Sequence, residues 1–267
     1  MLRTIVAMAS FSFVILGSFN IGLGYEVVNV QDGGIIAGRV AFSGTPPAPR
    51  VFDVNKEPEV CGKVRGLTKV EVNNGLLKGA VVVLEGVEKG KTFESKSFKA
   101  TLPGKGEFRY KTGEKLDLEV ILNNCNFGPF TGVIAKDQLI EFNNQDPIKH
   151  VLHTYVLKGK NANILRTINT QNLAAHSEIE QTLPSKKLQH GRVVALTCDR
   201  HDFMENWMYV VDNPYFAISD EQGNFTIDQI PSGQYTVTAW HPVLGVKRQE
   251  VVVSPDGKVD VTFSFSK

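Results

Sequence analysis

Apolar positions along this chain gather in short runs separated by turn signals. GGIIAGRVAF, KGAVVVLEG, KLDLEVIL, GRVVALTC, NWMYVV, GQYTVTAW and KVDVTFSF are rich in β-branched and aromatic residues and read as strands. GTPPAP, NNG, PGKG, DEQGN, PSG and PDG lie between such runs, each with Gly, Pro or both. Asp256-Gly257, between VVVS and KVDVTF, is a two-residue hairpin signal. A helical period is nowhere sustained. One possible helix falls within Asn172–Thr182 (NLAAHSEIEQT), in a long polar stretch. Many short strands with regular turns predict an all-β protein built of sandwiches or barrels.

The first 24 residues break this pattern. Arg3 is the only charge before Glu26, Thr4–Leu16 is almost wholly apolar or small, and Gly22-Leu23-Gly24 offers a cleavage site before Tyr25. These features predict an export signal. The rival reading, an uncleaved anchor, is disfavoured by Ser12, Ser18 and Asn20. No later stretch is long and apolar enough to span a bilayer, so the expectation is a periplasmic or secreted protein without an integral membrane segment, in an oxidising compartment.

The remaining length suits one large domain or two of roughly 100 residues. Composition, at 42% apolar and 21% charged, fits a folded protein rather than a disordered one. The 29 basic and 28 acidic residues leave no basic excess to hold nucleic acid or an anionic membrane, so both are set aside as partners. Three cysteines are too few for a disulfide scaffold.

Near the C-terminus the pattern D-x-x-G-x-F-x-I-x-x-I-P-x-G-x-Y is carried by Asp220, Gly223, Phe225, Ile227, Ile230, Pro231, Gly233 and Tyr235. Over residues 217–265 it resembles the carboxypeptidase regulatory-like domains, small prealbumin-type β-sandwiches that are usually structural or binding units. The opening strands of such domains have their counterparts far upstream, in Gly34–Ala41 and Gly79–Gly86. Two arrangements are open: one sandwich made from both chain ends around an inserted domain, or residues 30–110 as extra strands of the central domain. The partition expected is a signal peptide over 1–24, a central domain over 115–212, and a regulatory-like sandwich from 25–114 plus 213–267.

The chemistry lies in the centre. NNQDPIKHVLHTY (Asn143–Tyr155) and LTCDRHDFMENWMYVV (Leu196–Val211) supply a histidine, then Cys198, His201 and Met204. Two imidazoles, one thiolate and a distant thioether are the ligand types of a blue-copper electron-transfer site. C-x-x-H-x-x-M is expected to fold back as a tight loop after a strand, with the remaining histidine arriving from a neighbouring strand. The order strand, Phe/Pro turn, strand, N-x-D, His, then C-x-x-H-x-x-M resembles the cupredoxins, amicyanin and plastocyanin in particular, over residues 115–212. The resemblance implies a Greek-key sandwich holding one copper ion at His150, Cys198, His201 and Met204. The whole chain looks like exported cupredoxin-domain proteins with a regulatory-like segment after the copper loop, some of them labelled methylamine-utilisation accessory proteins.

Two departures stand out. Val151 occupies the position where amicyanin-like proteins have an Asn that ties the ligand loops, which leaves either a softer site or one tied by another group such as Asn143 or Asn144. Glu205-Asn206 follows the methionine where a small residue is usual, which bears on the placement of Met204 and on the approach of water. His150 and His153 face opposite sides of a strand, and His150, directly after the D-P-I-K turn, is the preferred ligand. Met208 reads as core packing, His176 and His190 as solvated, His241 as structural. Zinc normally takes four strong ligands, and Met is not one of them. With Cys198 reserved for metal, Cys61 and Cys125 are the candidate disulfide; the alternative is two buried free thiols.

By the same resemblance, His201 reaches the surface through an apolar patch, with Phe203 and Trp207 either contributing to it or packing beneath it. Phe203, Asp199, Asp202 and Glu205 are the candidates for docking a redox partner such as a c-type cytochrome, the three acids suiting a basic one. The expected function is a single-electron carrier rather than an enzyme. The alternatives are a copper-binding accessory or delivery protein, and an envelope binding module with an altered or empty site.

Overall fold

A computed structural model describes residues 25–94, 96–99, 106–112, 116–135, 139–158, 164–182, 188 and 192–267. The export-signal reading and His190 lie outside these residues. The described chain is all-β apart from one turn of helix, Pro58–Cys61, and the isolated Leu188, and no helix among the described residues is long and apolar enough to cross a membrane.

Two pairs of sheets enclose two cores. One sheet runs Glu178–Thr182, Leu139–Asn144, Leu116–Leu122, Glu107–Thr112, Lys96–Lys99 in spatial order. It lies against a second, Thr131–Ala135, His201–Val211, Val193–Cys198, His150–Lys158, Ile164–Leu173. Phe108, Phe127, Phe142, Leu118 and Val194 are among the side chains buried between them. This sheet therefore extends upstream of residue 115, because Glu107–Thr112 pairs antiparallel with Leu116–Leu122 and Lys96–Lys99 pairs with Glu107–Thr112.

The other two sheets draw strands from both chain ends. Gly34–Ser43 pairs antiparallel with Asn224–Ile230 and parallel with Lys258–Ser266. A Cβ at Gly38 would stand 1.7 Å from the Val261 carbonyl oxygen, so this close parallel approach requires glycine. Facing them, Phe216–Ile218, Val81–Glu85, Gly233–His241 and Gly245–Val253 form a sheet, with Ile36, Phe225, Val237 and Phe265 among the residues between. Val81 and Val83 face the first core and Val82 and Leu84 the second. Burial on both faces accounts for the unbroken apolar run VVVL.

Two expectations change. Asn172–Thr182 is not helical: Leu173 ends one strand, His176 takes a left-handed turn at φ 48°, and Glu178–Thr182 pairs with Leu139–Asn144. Strand pairing overrides the helix propensity of its Ala and Glu residues. The second concerns the hairpin Arg50–Asp53 with Val64–Leu67. It carries the helical turn Pro58–Cys61, and its Val54 and Cys61 pack in the core of the central sheets, not in the sandwich made from the chain ends.

Candidate metal centre

Strand pairing assembles the site. His150 opens the strand His150–Lys158, and Leu152 of that strand is registered against Cys198 at the end of Val193–Cys198. The chain reverses through Asp199-Arg200 alone, and His201 is already paired with Cys198. Three further residues, Asp202 to Met204, bulge before Glu205 pairs with Thr197. The ligand loop is thus shorter than the sequence suggested, and Met204 lies in a bulged strand, buried in the core.

His150 Nδ1 and His201 Nδ1 each stand 3.7 Å from Cys198 Sγ, and the three ligand atoms lie within 4.8 Å of one another. All three residues are buried. A first-row ion bonded to sulfur at about 2.3 Å and to nitrogen at about 2.0 Å would hold those atoms about 3.5 Å apart at a tetrahedral angle. The donor set therefore fits a metal ion without rearrangement. The other His/Cys/Asp/Glu group among the described residues, Cys125, Asp146 and His150, lacks a thiolate because Cys125 is disulfide-bonded to Cys61.

Each imidazole is held from behind by a carboxylate. His150 Nε2 lies 3.0 Å from Asp146 Oδ2, and His201 Nε2 lies 3.2 Å from Glu57 Oε2. A proton on each Nε2 donates to its carboxylate, so Nδ1 is the ring atom that faces the sulfur and the one a metal ion would take. Asp146 is itself fixed by the N–H groups of Asn124 (2.6 Å) and Cys125 (2.9 Å), two successive residues in the left-handed region at φ 53° and 52°. Their adjacent amides form a small anion cradle.

The charges are set accordingly. Burial alone would lower the His150 pKa, but the hydrogen bonds and charges of Asp146 and Cys198 outweigh it and raise it to about 9. Burial opposes the Cys198 thiolate, yet hydrogen bonds from His150, His201 and the backbone N–H groups of Arg200 and Val151 bring its pKa down to about 6. The thiolate absorbance of the metal-free protein is therefore expected to appear as pH rises through about 6 and to vanish below it. An ordinary thiol titrates near roughly 8.5. The difference ultraviolet spectrum against Cys198→Ser, recorded across that range, checks this.

Main chain at Val151 ties the two histidine- and cysteine-bearing segments together. Val151 N–H bonds the Cys198 sulfur, and its carbonyl accepts from Asp199 N–H at 2.9 Å. Asn144 is buried and donates to the carbonyls of Ile148 and Ala174. His153 points away from the sulfur: it bonds Asp199 at 2.8 Å and stacks on Tyr155. Met208 is core, His176 is exposed, and His241 is buried with its pKa lowered to about 4 by desolvation.

The surface expectations fare differently. His201 does not reach solvent, because the Arg50–Leu67 hairpin covers it with Glu57 and with Cys61 Sγ at 3.6 Å from Nε2. Of the two places open to Phe203 it takes the buried one, beneath Phe52 and the Arg65 guanidinium. Glu205 is clasped by Lys69 at 2.7 Å and by Trp207 Nε1 at 2.7 Å. Only Asp199 and Asp202 of the four docking candidates are exposed. Beside Phe203, Met204, Glu205 and Asn206 a cavity of about 630 Å³ separates the hairpin and the two sandwiches. Sequence reasoning missed Asp146, Glu57 and Arg200. The N-x-D signal just before His150 contains Asp146, whereas nothing local marks Glu57.

A family model described as polysaccharide lyase family 4, domain II matches residues 190–261, well under half of the chain. No curated protein matches significantly. Among solved structures, an amicyanin variant in its reduced Cu(I) form is similar at 12% identity over 35% of this chain and 80% of its own, with a TM-score of 0.26. A purple cupredoxin from Nitrosopumilus maritimus is 14% identical over 31% and 79%, at 0.24. A copper-containing nitrite reductase from Thermus scotoductus SA-01 is 16% identical over 42% and 25%, at 0.28. At these distances the chemistry of the centre rests on its own side chains.

Proposed function

We propose that this chain is an exported protein that would bind one copper ion through His150, Cys198 and His201, with Met204 as the candidate fourth donor, and that it carries single electrons. The observation that carries this reading is the pair of Nδ1 atoms at 3.7 Å from one thiolate, each imidazole anchored through Nε2 by a carboxylate. Nitrogen and thiolate donors suit copper, and copper would supply one-electron redox chemistry there. In this reading the centre is a carrier and not a catalyst, the protein works in the periplasm or outside the cell, and the sheets built from the chain ends are a separate regulatory-like sandwich.

A protein redox partner such as a c-type cytochrome is proposed to meet the exposed Asp199/Asp202 turn. Asp199 follows the thiolate directly and bonds His153 on the surface. Encounters of this kind bury less than about 1,200 Å².

The test is the visible spectrum of Tyr25–Lys267 with one equivalent of Cu(II), before and after ascorbate. An intense thiolate band that bleaches and returns on reoxidation supports the carrier. Binding without reversible cycling favours a copper-delivery role, and no thiolate band leaves an envelope binding module. Histidine assignment has its own check: His150→Ala is expected to remove the band, and His153→Ala to leave its position and intensity in place.

A further inference from the structure

Glu57 lies 144 positions from His201 in the chain, yet its Oε2 is 3.2 Å from His201 Nε2 and its other oxygen is in close contact with Arg200. Its backbone is in the left-handed region at φ 49°, which is costly for a residue with a Cβ and occurs at only seven non-glycine positions among the described residues. Two more of the seven, Asn124 and Cys125, cradle Asp146 behind the other histidine. Strained backbone thus recurs behind each imidazole.

The hairpin that carries Glu57 is fastened at several points. Cys61, four residues on, is bonded to Cys125. Arg65 donates to the carbonyls of Asn124 and Cys125, at 2.7 and 3.3 Å, and lies over Phe203. Phe52 meets Phe203 edge-on at 6.1 Å. The fastening has a cost: Arg200 Nε is the only buried side-chain nitrogen or oxygen among the described residues with no hydrogen-bond partner. Contacts of this kind hold a carboxylate in place; they do not merely fill space.

We propose that Glu57 is the positioning residue of His201. It fixes the proton on Nε2, aims Nδ1 at the thiolate, and with the disulfide seals the outer edge of the imidazole from water and from chelating groups. A segment distant in sequence thereby completes the centre. The part played by copper rests on the function proposed above; the tautomer and the seal do not.

The experiment compares wild type, Glu57→Gln and Glu57→Ala. In the metal-free protein, two-bond proton–nitrogen NMR of the histidine rings reads the His201 tautomer and the exchange of its Nε2 proton. Wild type is expected to show a protected Nε2–H. Glu57→Gln, whose amide oxygen still accepts, retains it, and Glu57→Ala loses the protection and mixes tautomers. In the Cu(I)-loaded protein, withdrawal of copper by excess bicinchoninate is expected to be about tenfold or more faster in Glu57→Ala, with Glu57→Gln near wild type, in line with the worth of outer-shell partners. Identical Nε2–H protection in all three proteins overturns the proposal. Loss of protection in Glu57→Gln as well as Glu57→Ala also overturns it, because the hydrogen bond is then not what matters. If wild type shows no thiolate–copper band while the NMR ordering holds, the copper function fails and the positioning role stands.

Discussion

Cys198→Ser is expected to abolish the visible thiolate-to-copper band while the protein stays folded. Cys198 is buried at the end of its strand, registered against Leu152 and His201, and its sulfur lies 3.7 Å from Nδ1 of both imidazoles and accepts from two backbone N–H groups. Serine has nearly the same shape and still accepts hydrogen bonds, so the surrounding strands keep their partners. It has no low-lying thiolate to ionise, so the strongest of the three donors within 4.8 Å is lost. Removing an outer-shell partner typically costs roughly 10–100-fold in metal affinity, and the loss of this inner ligand is expected to exceed that range. Copper titration with optical and circular dichroism readout measures both effects. A variant that keeps its colour would show that the ligand assignment is wrong.

The second large effect is on stability. The Cys61–Cys125 disulfide closes a sequence separation of 64 residues. In the loop-entropy account its removal costs about 4 kcal/mol. For a chain of this size that corresponds to a fall in melting temperature of roughly 8–16 °C. The double variant Cys61→Ser, Cys125→Ser, studied by thermal melting of the metal-free protein, tests this without leaving a stray thiol. The bond joins the Arg50–Leu67 hairpin to the turn that cradles Asp146, and Cys61 packs against His201. The variant is therefore also expected to lose copper faster than wild type. An unchanged melting temperature would mean that the other contacts of the hairpin hold it unaided.

Much of the site was legible from residue types and spacing. Cys198 and His201 share a short motif, so any turn between them keeps them close, and here Asp199-Arg200 suffices. A strand shows alternate residues to opposite faces, which sets His150 and His153 apart; His150 lies beside the thiolate and His153 turns to Asp199. The pairing of Cys61 with Cys125, expected once Cys198 was reserved, is present. The helix expected in NLAAHSEIEQT failed because local propensity competes with pairing partners that no local window contains. Glu178–Thr182 lies along Leu139–Asn144, more than thirty positions upstream.

Two carboxylates mark the limit of sequence reading. Asp146 sits in a turn four residues before its histidine, and that spacing was visible although its role was not. Glu57, in the segment EPEVCGK, has no periodic or motif signal at all. Its place against His201 follows from a hairpin folding onto the central sheets, fastened by a disulfide and by Arg65. The same packing buries Phe203 and closes the edge of His201 that the family resemblance placed at the surface.

By itself the sequence determined the all-β class, the candidate donor atoms and their order along the chain, because period-two patterning, turn residues and ligand chemistry are local properties. Only the tertiary structure decided which side of each imidazole faces the sulfur, what holds the other side, and how far the centre lies from water. At His201 they depend on a segment more than 100 positions away, which burial and covalent fastening bring in and no local pattern encodes; at His150 they depend on how the turn carrying Asp146 is fixed by Asn124 and Cys125.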